Sequence, residues 1–150
     1  MILNSYYDLD PQIYDDQFWW KKDDIEFWKN ILLPQDHSIL EIAAGTGRLA
    51  VPLVREQYNY EGLELSNDYC SFANQKLKKY SDEKLIKQAD MRAFNFKKKY
   101  DKIFIPFNSL LHLLNERDFI LALKCIKKHM HFNSELYIDI FVPHPLILNR

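Results

Sequence analysis

The residue pattern most able to bind a ligand lies in the stretch LEIAAGTGR, residues 40–48. An apolar run that carries one acid, Glu41, is followed by Gly45 and Gly47, and the whole chain has only 3 glycines. Glycines between a strand and a helix let the backbone turn sharply and approach a ligand with no Cβ in the way. The free N–H groups at the start of the helix then favour a negatively charged or hydroxyl-rich ligand. The pattern predicts a ligand-binding turn.

A dinucleotide such as NAD is one candidate for this turn. The spacing Gly45-x-Gly47-x-x-Ala50 satisfies the dinucleotide fingerprint. Glu64 follows about 20 residues further on, where an acid can accept hydrogen bonds from ribose hydroxyls. The NAD interpretation gives Glu41 and Asp90 no role and offers no second nucleotide half. It remains one of two alternatives at this point.

Hydrophobic periodicity and turn residues predict alternating strands and helices along the chain. Strands are expected over residues 38–42, 60–65, 85–88, 100–105 and 136–142, and helices over 48–57, 66–79 and 116–129. The last helix is expected to bury a stripe of Phe119, Leu123, Ile126 and Met130. Such alternation predicts an α/β fold with a parallel sheet, whose ligands bind at the carboxyl ends of the strands. The glycine turn lies at such an end.

The first 33 residues are expected to be helical and are rich in aromatic side chains. Asp10 precedes Pro11 as an N-cap precedes a proline at the first helical position. Asp24 is expected to cap a second helix, which Pro34 ends. The chain is therefore predicted to be one domain, residues 1–150, with a helical segment over 1–33 and an α/β core over 38–143.

Four segments, in chain order, resemble motifs of the class I S-adenosylmethionine (SAM)-dependent methyltransferases. LEIAAGTGR resembles motif I, in which an acid is followed by x-G-x-G-x-G, with Ala43 in place of the first glycine. The segments YEGLELS (60–66), QADMRAF (88–94) and YDKIFIPFNSLLHLL (100–114) resemble the second-strand motif, the adenine-contacting segment and the fourth strand with its substrate-facing loop. The resemblance extends over residues 14–143. It implies a Rossmann-like sheet with helices on both faces, strands one to five only, and an N-terminal helical lid.

The resemblance implies a SAM-binding role for ten residues. Glu64 would hold the ribose diol, Asp90 would accept from the adenine amine, and the backbone of Met91 would contact the ring edge. Gly45 and Gly47 would direct N–H groups at the carboxylate of the methionine tail, and Glu41 would reach its ammonium group. Ala43 is expected to end a strand without requiring a positive φ. The set is Tyr14, Glu41, Ala43, Gly45, Gly47, Glu64, Leu65, Asp90, Met91 and Phe107.

Methyl transfer from a sulfonium needs an aligned nucleophile and a dry site more than it needs a base. Asn108, Ser109 and His112 follow the fourth strand and are the candidate catalytic residues. The Tyr14-Asp15 pair resembles the start of the family's lid. Phe18, Trp19 and Trp20 are expected to extend that lid as an aromatic wall against the sulfonium.

The expected function is SAM-dependent methyl transfer to a small molecule. The net charge of −1 argues against a nucleic-acid partner, and the NPPY-type tetrad of amino-group DNA methylases is absent. Because family members usually continue with a sixth and a seventh strand, strand five is expected to be covered by a homodimer partner or another chain. The alternatives are a non-catalytic SAM-binding partner subunit and a truncated methyltransferase fragment.

Cys70 and Cys125 lack the spacing of metal ligands and are expected to be buried thiols, so neither a disulfide framework nor a metal site is predicted. The N-terminus has no signal-peptide pattern, and no apolar run approaches the ~20 residues that span a bilayer. A cytoplasmic protein with no membrane partner is the expectation.

Overall fold

The computed structural model describes residues 9–142, in which five parallel strands form one sheet. The strands are β1 (Ile39–Ile42), β2 (Tyr60–Glu64), β3 (Ile86–Gln88), β4 (Tyr100–Ile105) and β5 (Met130–Ile138), in the order β3-β2-β1-β4-β5. The helices are α1 (Pro11–Phe18), α2 (Ile25–Ile31), α3 (Ala50–Arg55), α4 (Asn67–Leu77) and α5 (Glu116–Lys128), with a 3-10 helix over Ser109–His112. The predicted α/β fold with a parallel sheet is confirmed.

Helices cover both faces of the sheet. Side chains of α2, α3 and α4 pack in one apolar cluster with Ile39, and α5 contributes Ile126 to a second cluster that contains Leu40. Neighbouring residues of β1 fall in different clusters because successive side chains of a strand point to opposite faces. All four residues of β1 are buried, as expected for the central strand of a parallel sheet.

Side-chain caps fix two of the helix starts at the predicted residues. The Ser66 side chain accepts from the backbone N–H of Tyr69 at 3.3 Å, and Asn115 accepts from that of Asp118 at 2.9 Å. The helix after the glycine turn begins two residues later than predicted, at Ala50, so that Pro52 lies in its first turn, where its missing N–H costs nothing.

The fifth strand is the clearest error of the sequence analysis. It was predicted over residues 136–142, but β5 spans Met130–Ile138 and starts almost directly after α5. The first half of β5 is polar and mostly exposed, so it lacks the apolar pattern of a buried strand, and its register against β4 slips between Tyr100 and Lys102. Ser134 bridges this irregularity: its hydroxyl accepts from the N–H of His131 and donates to the carbonyl of Tyr100, both at 2.6 Å.

The buried face of α5 agrees with the predicted stripe at Ile126 but differs from it at Phe119. Ala122, Cys125 and Ile126 are the buried residues, whereas the Phe119 side chain is 39% exposed. The helix is therefore rotated towards its smaller side chains. Both cysteines are buried free thiols, as predicted.

The N-terminal segment does not act as one unit. Trp28 of α2 is 2% exposed and lies with its ring centroid 5.1 Å from that of Phe104, so α2 belongs to the core. Asp24 precedes α2 without a side-chain cap bond, because its carboxylate binds Arg48 instead. Of the two helices described in this segment, α1 is the one whose side chains, Tyr14 and Phe18, lie at the carboxyl ends of the strands.

Candidate cofactor cleft

Two adjoining cavities open at the carboxyl ends of the strands. The α1-side cavity, of about 190 Å³, lies under α1, and the α5-side cavity, of about 260 Å³, reaches the start of α5. Ala43, Glu64 and His112 line both, so the two cavities are halves of one cleft. The remaining lining residues of the α1-side cavity are Tyr14, Phe18, Gly45, Tyr69, Phe107 and Ser109.

The backbone of the turn after β1 is left-handed at three residues. φ is +59° at Ala43, +57° at Gly45 and +83° at Gly47. The expectation that Ala43 needs no positive φ is wrong, and its Cβ costs about 1–2 kcal/mol in this region. The substitution of the motif's first glycine therefore places strain in the wall shared by both cavities.

The two glycines of the turn serve different purposes. A Cβ on Gly45 would meet nothing within 4 Å, whereas a Cβ on Gly47 would lie 3.1 Å from the Cβ of Ala73 in α4. The N–H of Gly45 donates to Oε2 of Glu64 at 2.9 Å, and that of Gly47 donates to the carbonyl of Ala44 at 3.0 Å. The two N–H groups thus bind within the protein, contrary to the expectation that they face a ligand's carboxylate.

Glu64 is the buried acid of the cleft. It ends β2, is 1% exposed and accepts from the backbone N–H groups of Gly45 and Ser66, each at 2.9 Å. Burial raises the pKa of this carboxyl, and the two N–H donors oppose that effect. The result is a fixed carboxylate in the wall of both cavities.

Glu41 lies behind the turn instead of in the cleft. It lines neither cavity, is 2% exposed and accepts a hydrogen bond of 2.6 Å from the hydroxyl of Tyr60. Burial raises the pKa of this carboxyl to about 8. In this structure the acid is thus bound to β2 through Tyr60.

Leu65, Asp90 and Met91 line the α5-side cavity. Arg92, which the sequence analysis did not single out, donates to both oxygens of the Asp90 carboxylate, with Nη2 2.6 Å from Oδ2. These hydrogen bonds lower the pKa of Asp90. In the sequence, the only indication that Asp90 and Arg92 bind each other is that they lie two residues apart in a loop.

Aromatic rings form the upper wall of the α1-side cavity. The ring of Tyr14 lies 5.4 Å from that of Tyr69, and the ring of Phe18 lies 5.4 Å from that of Phe107. Trp19 and Trp20 do not extend this wall, since they are 69% and 57% exposed and line neither cavity.

Two polar contacts fasten the N-terminal segment over the cleft. Asp15 of α1 accepts from the hydroxyl of Thr46 in the turn and pairs with Lys76 of α4 at 2.5 Å. Asp24 binds the guanidinium of Arg48 through two hydrogen bonds of 2.6 and 2.9 Å. Neither contact was predictable from the sequence, because the partners are far apart along the chain.

The structure separates the three candidate catalytic residues. Ser109 and His112 line the α1-side cavity, and the Ser109 hydroxyl donates to the carbonyl of Pro106 at 2.7 Å. Asn108 lines neither cavity, because its side-chain oxygen accepts from the backbone N–H of Phe141. Asn108 has a φ of +60° and holds the loop after β4 in shape.

Among residues 9–142, no group of three or more His, Cys, Asp or Glu side chains is placed to hold a metal ion. No helix in this part of the chain is long and apolar enough to cross a membrane.

A parallel sheet with a glycine turn after β1, an acid at the end of β2 and a cleft beyond the strand ends defines a Rossmann-like nucleotide-cofactor protein. Residues 39–132 match the family model described as a methyltransferase domain. The chain belongs to this methyltransferase family, whose members use SAM as their cofactor. This favours SAM over NAD for the cleft.

Named relatives support the same family. The chain is 31% identical over 114 residues to YqeM of Bacillus subtilis (strain 168), a predicted methyltransferase, covering 75% of this chain and 46% of that protein. It is 28% identical over 106 residues to the dTDP-3-amino-3,4,6-trideoxy-alpha-D-glucopyranose N,N-dimethyltransferase of Streptomyces venezuelae, covering 71% and 43%. The chain thus spans less than half the length of these relatives.

Solved structures share the fold. The crystal structure of Streptomyces venezuelae DesVI superposes with a TM-score of 0.73 at 23% identity, covering 90% of this chain and 59% of that one. The sugar N-methyltransferase KedS8 from Streptoalloteichus sp ATCC 53650 gives a TM-score of 0.71 at 24% identity, covering 85% and 53%.

Proposed function

We propose that this chain binds SAM in the cleft and transfers its methyl group to a small-molecule acceptor. The observation that carries the proposal is the Glu64 carboxylate, which is buried, is fixed by two backbone N–H groups and lines both halves of the cleft. A buried carboxylate of this kind suits a ligand that offers adjacent hydroxyl donors, such as a ribose.

The residues of the cleft fit the parts of SAM. Asp90 and Met91 border the α5-side cavity, where an adenine amine would find an acceptor. The aromatic rings of Tyr14, Phe18 and Phe107 border the α1-side cavity and offer π faces to a sulfonium. The open space at Gly45 leaves room for a ligand against the turn.

SAM, when bound, supplies a methyl group on a positively charged sulfur. The chain's residues would align the acceptor and exclude water, with α1 held over the cleft by Asp15. The Ser109 hydroxyl donates a hydrogen bond to the carbonyl of Pro106, so its oxygen can still accept one from an N–H or O–H of the molecule to be methylated. The imidazole of His112, which lines both cavities, would take up the proton that a neutral amine releases after methylation.

We infer a small amine as the first acceptor class to test. A relative of this chain is named as an N,N-dimethyltransferase of an amino-sugar nucleotide.

Methyl transfer is tested with methyl-labelled SAM and a panel of amino-sugar nucleotides, with formation of S-adenosylhomocysteine as the readout. Activity that falls at least about tenfold in His112→Ala and Ser109→Ala supports the assigned roles. Ser71→Ala, at an exposed serine of α4, is the matched control and is expected to leave the rate unchanged. SAM binding with no transfer to any acceptor would instead favour a SAM-binding partner subunit.

A further inference from the structure

We propose that Arg92 is a positioning residue that fixes the Asp90 carboxylate so that the cleft accepts a 6-amino purine and rejects a 6-oxo purine. The inference rests on the proposed function, because it concerns the same cleft. It adds a residue that neither the motif pattern nor the comparisons assign.

Arg92 holds the carboxylate in one orientation. The backbone N–H of Arg92 donates to Oδ1 of Asp90 at 2.8 Å, Nε lies 3.0 Å from both oxygens, and Nη2 lies 2.6 Å from Oδ2. A guanidinium fork and a backbone donor together fix both the position and the plane of a carboxylate.

The same geometry leaves room for one more donor. Four hydrogen bonds from three N–H groups reach the carboxylate, two on each oxygen, and the two from Nε share a single hydrogen. The three hydrogens thus take up about three of the four acceptor positions of an ionised carboxylate. An exocyclic amine of a purine can fill the remaining position. A 6-oxo group is an acceptor and would face the carboxylate with like partial charge and no hydrogen bond.

Arg92 also connects the two walls of the α5-side cavity. Its Nη1 donates to Oδ2 of Asp118 at 2.8 Å, in the first turn of α5. Asp118 is itself bound to the N-cap residue Asn115, and both line the cavity with Asp90. The guanidinium therefore sets the distance between the loop after β3 and the start of α5.

The test compares S-adenosylhomocysteine with its 6-oxo analogue, S-inosylhomocysteine, by calorimetry. The wild-type chain is expected to prefer the amino compound by at least about tenfold, because its 6-amino group donates to the Asp90 carboxylate, whereas the 6-oxo oxygen faces that carboxylate without a hydrogen bond. Arg92→Lys keeps the charge but loses the fork, so the preference is expected to fall by about fivefold or more. Arg55→Lys, an exposed arginine of α3, is the matched control and should keep the wild-type preference.

A merely structural arginine would weaken both ligands equally, so an unchanged preference in a folded Arg92→Lys variant overturns the inference. If Arg92→Lys does not fold, Asp118→Asn serves instead, since it removes the charged partner of Nη1 but keeps all the bonds between Arg92 and Asp90, and it should lower the preference by about twofold. An unchanged preference there has the same meaning. Wild-type protein that binds neither compound would refute the proposed function itself.

Discussion

Alanine at Gly47 and at Gly45 should affect the protein in different ways. At Gly47 an alanine in a positive-φ conformation lowers the unfolding free energy by about 1–2 kcal/mol. The lower entropy of the unfolded chain raises it by about 0.4–1 kcal/mol. The Cβ also lies 3.1 Å from that of Ala73, and such overpacking costs about 1–3 kcal/mol. We expect Gly47→Ala to lose about 2–3 kcal/mol of unfolding free energy.

Gly45→Ala carries the backbone strain without the clash, because nothing lies within 4 Å of its Cβ. Its expected loss is about 0.5–1 kcal/mol. Thermal unfolding should show a Tm lower by about 5–10 °C for Gly47→Ala and by about 2–3 °C for Gly45→Ala. Gly45 lines the cleft, so the added methyl group should lower SAM affinity more in Gly45→Ala than in Gly47→Ala, although Gly45→Ala loses less stability. Equal Tm losses, or a larger loss at Gly45, would refute this account of the turn.

Three further variants test the polar contacts. Burial holds the pKa of Glu41 at about 8, above its unfolded value, so its stabilising contribution is complete below pH 4.5 and is lost as the pH rises to about 8. In the wild-type chain this loss of unfolding free energy approaches ~1.4 kcal/mol per pH unit between pH 5 and 8, and Glu41→Gln should make it smaller. Urea denaturation at several pH values measures this dependence, and the same slope of unfolding free energy against pH in both proteins would contradict the prediction. Lys102→Met should lose about 1–3 kcal/mol in urea denaturation, since the Lys102 ammonium donates to two carbonyls at the end of α2 at 2.6 Å; a loss under about 0.5 kcal/mol would argue against that role. Asp15→Asn should weaken SAM binding by about threefold in calorimetry by removing the contact of α1 with Lys76, and Asp16→Asn, one residue further along α1, is the control that should bind as wild type.

The local features of the fold were predictable because each has a cause within a few residues. Ser66 and Asn115 precede helices as caps, and the apolar runs of β1 and β4 mark buried strands. β5 was misplaced because its first half is polar and irregular, and its register is set by β4 rather than by its own sequence pattern.

The site was likewise predictable where a local sequence pattern determines it, and not where contacts between distant residues do. Glycine spacing and the acid at the end of β2 indicate the place of the cleft, but not the partners of each group. The positive φ of Ala43, the Tyr60 hydroxyl on Glu41 and the Arg92 fork all depend on three-dimensional contacts. The expected cover of the strand-five edge by a second chain stays a prediction.

Calorimetric titration of the purified chain with SAM, with NAD as the comparison ligand, tests the central claim most directly. We expect saturable SAM binding that weakens by at least about tenfold in Glu64→Gln, because a neutral amide cannot make the charge-assisted hydrogen bonds that the carboxylate makes to the ligand. The exposed Glu83→Gln should bind as wild type, and NAD should bind weakly or not at all. Absence of SAM binding by a folded chain, or equal binding by Glu64→Gln, would contradict the assignment of this cleft.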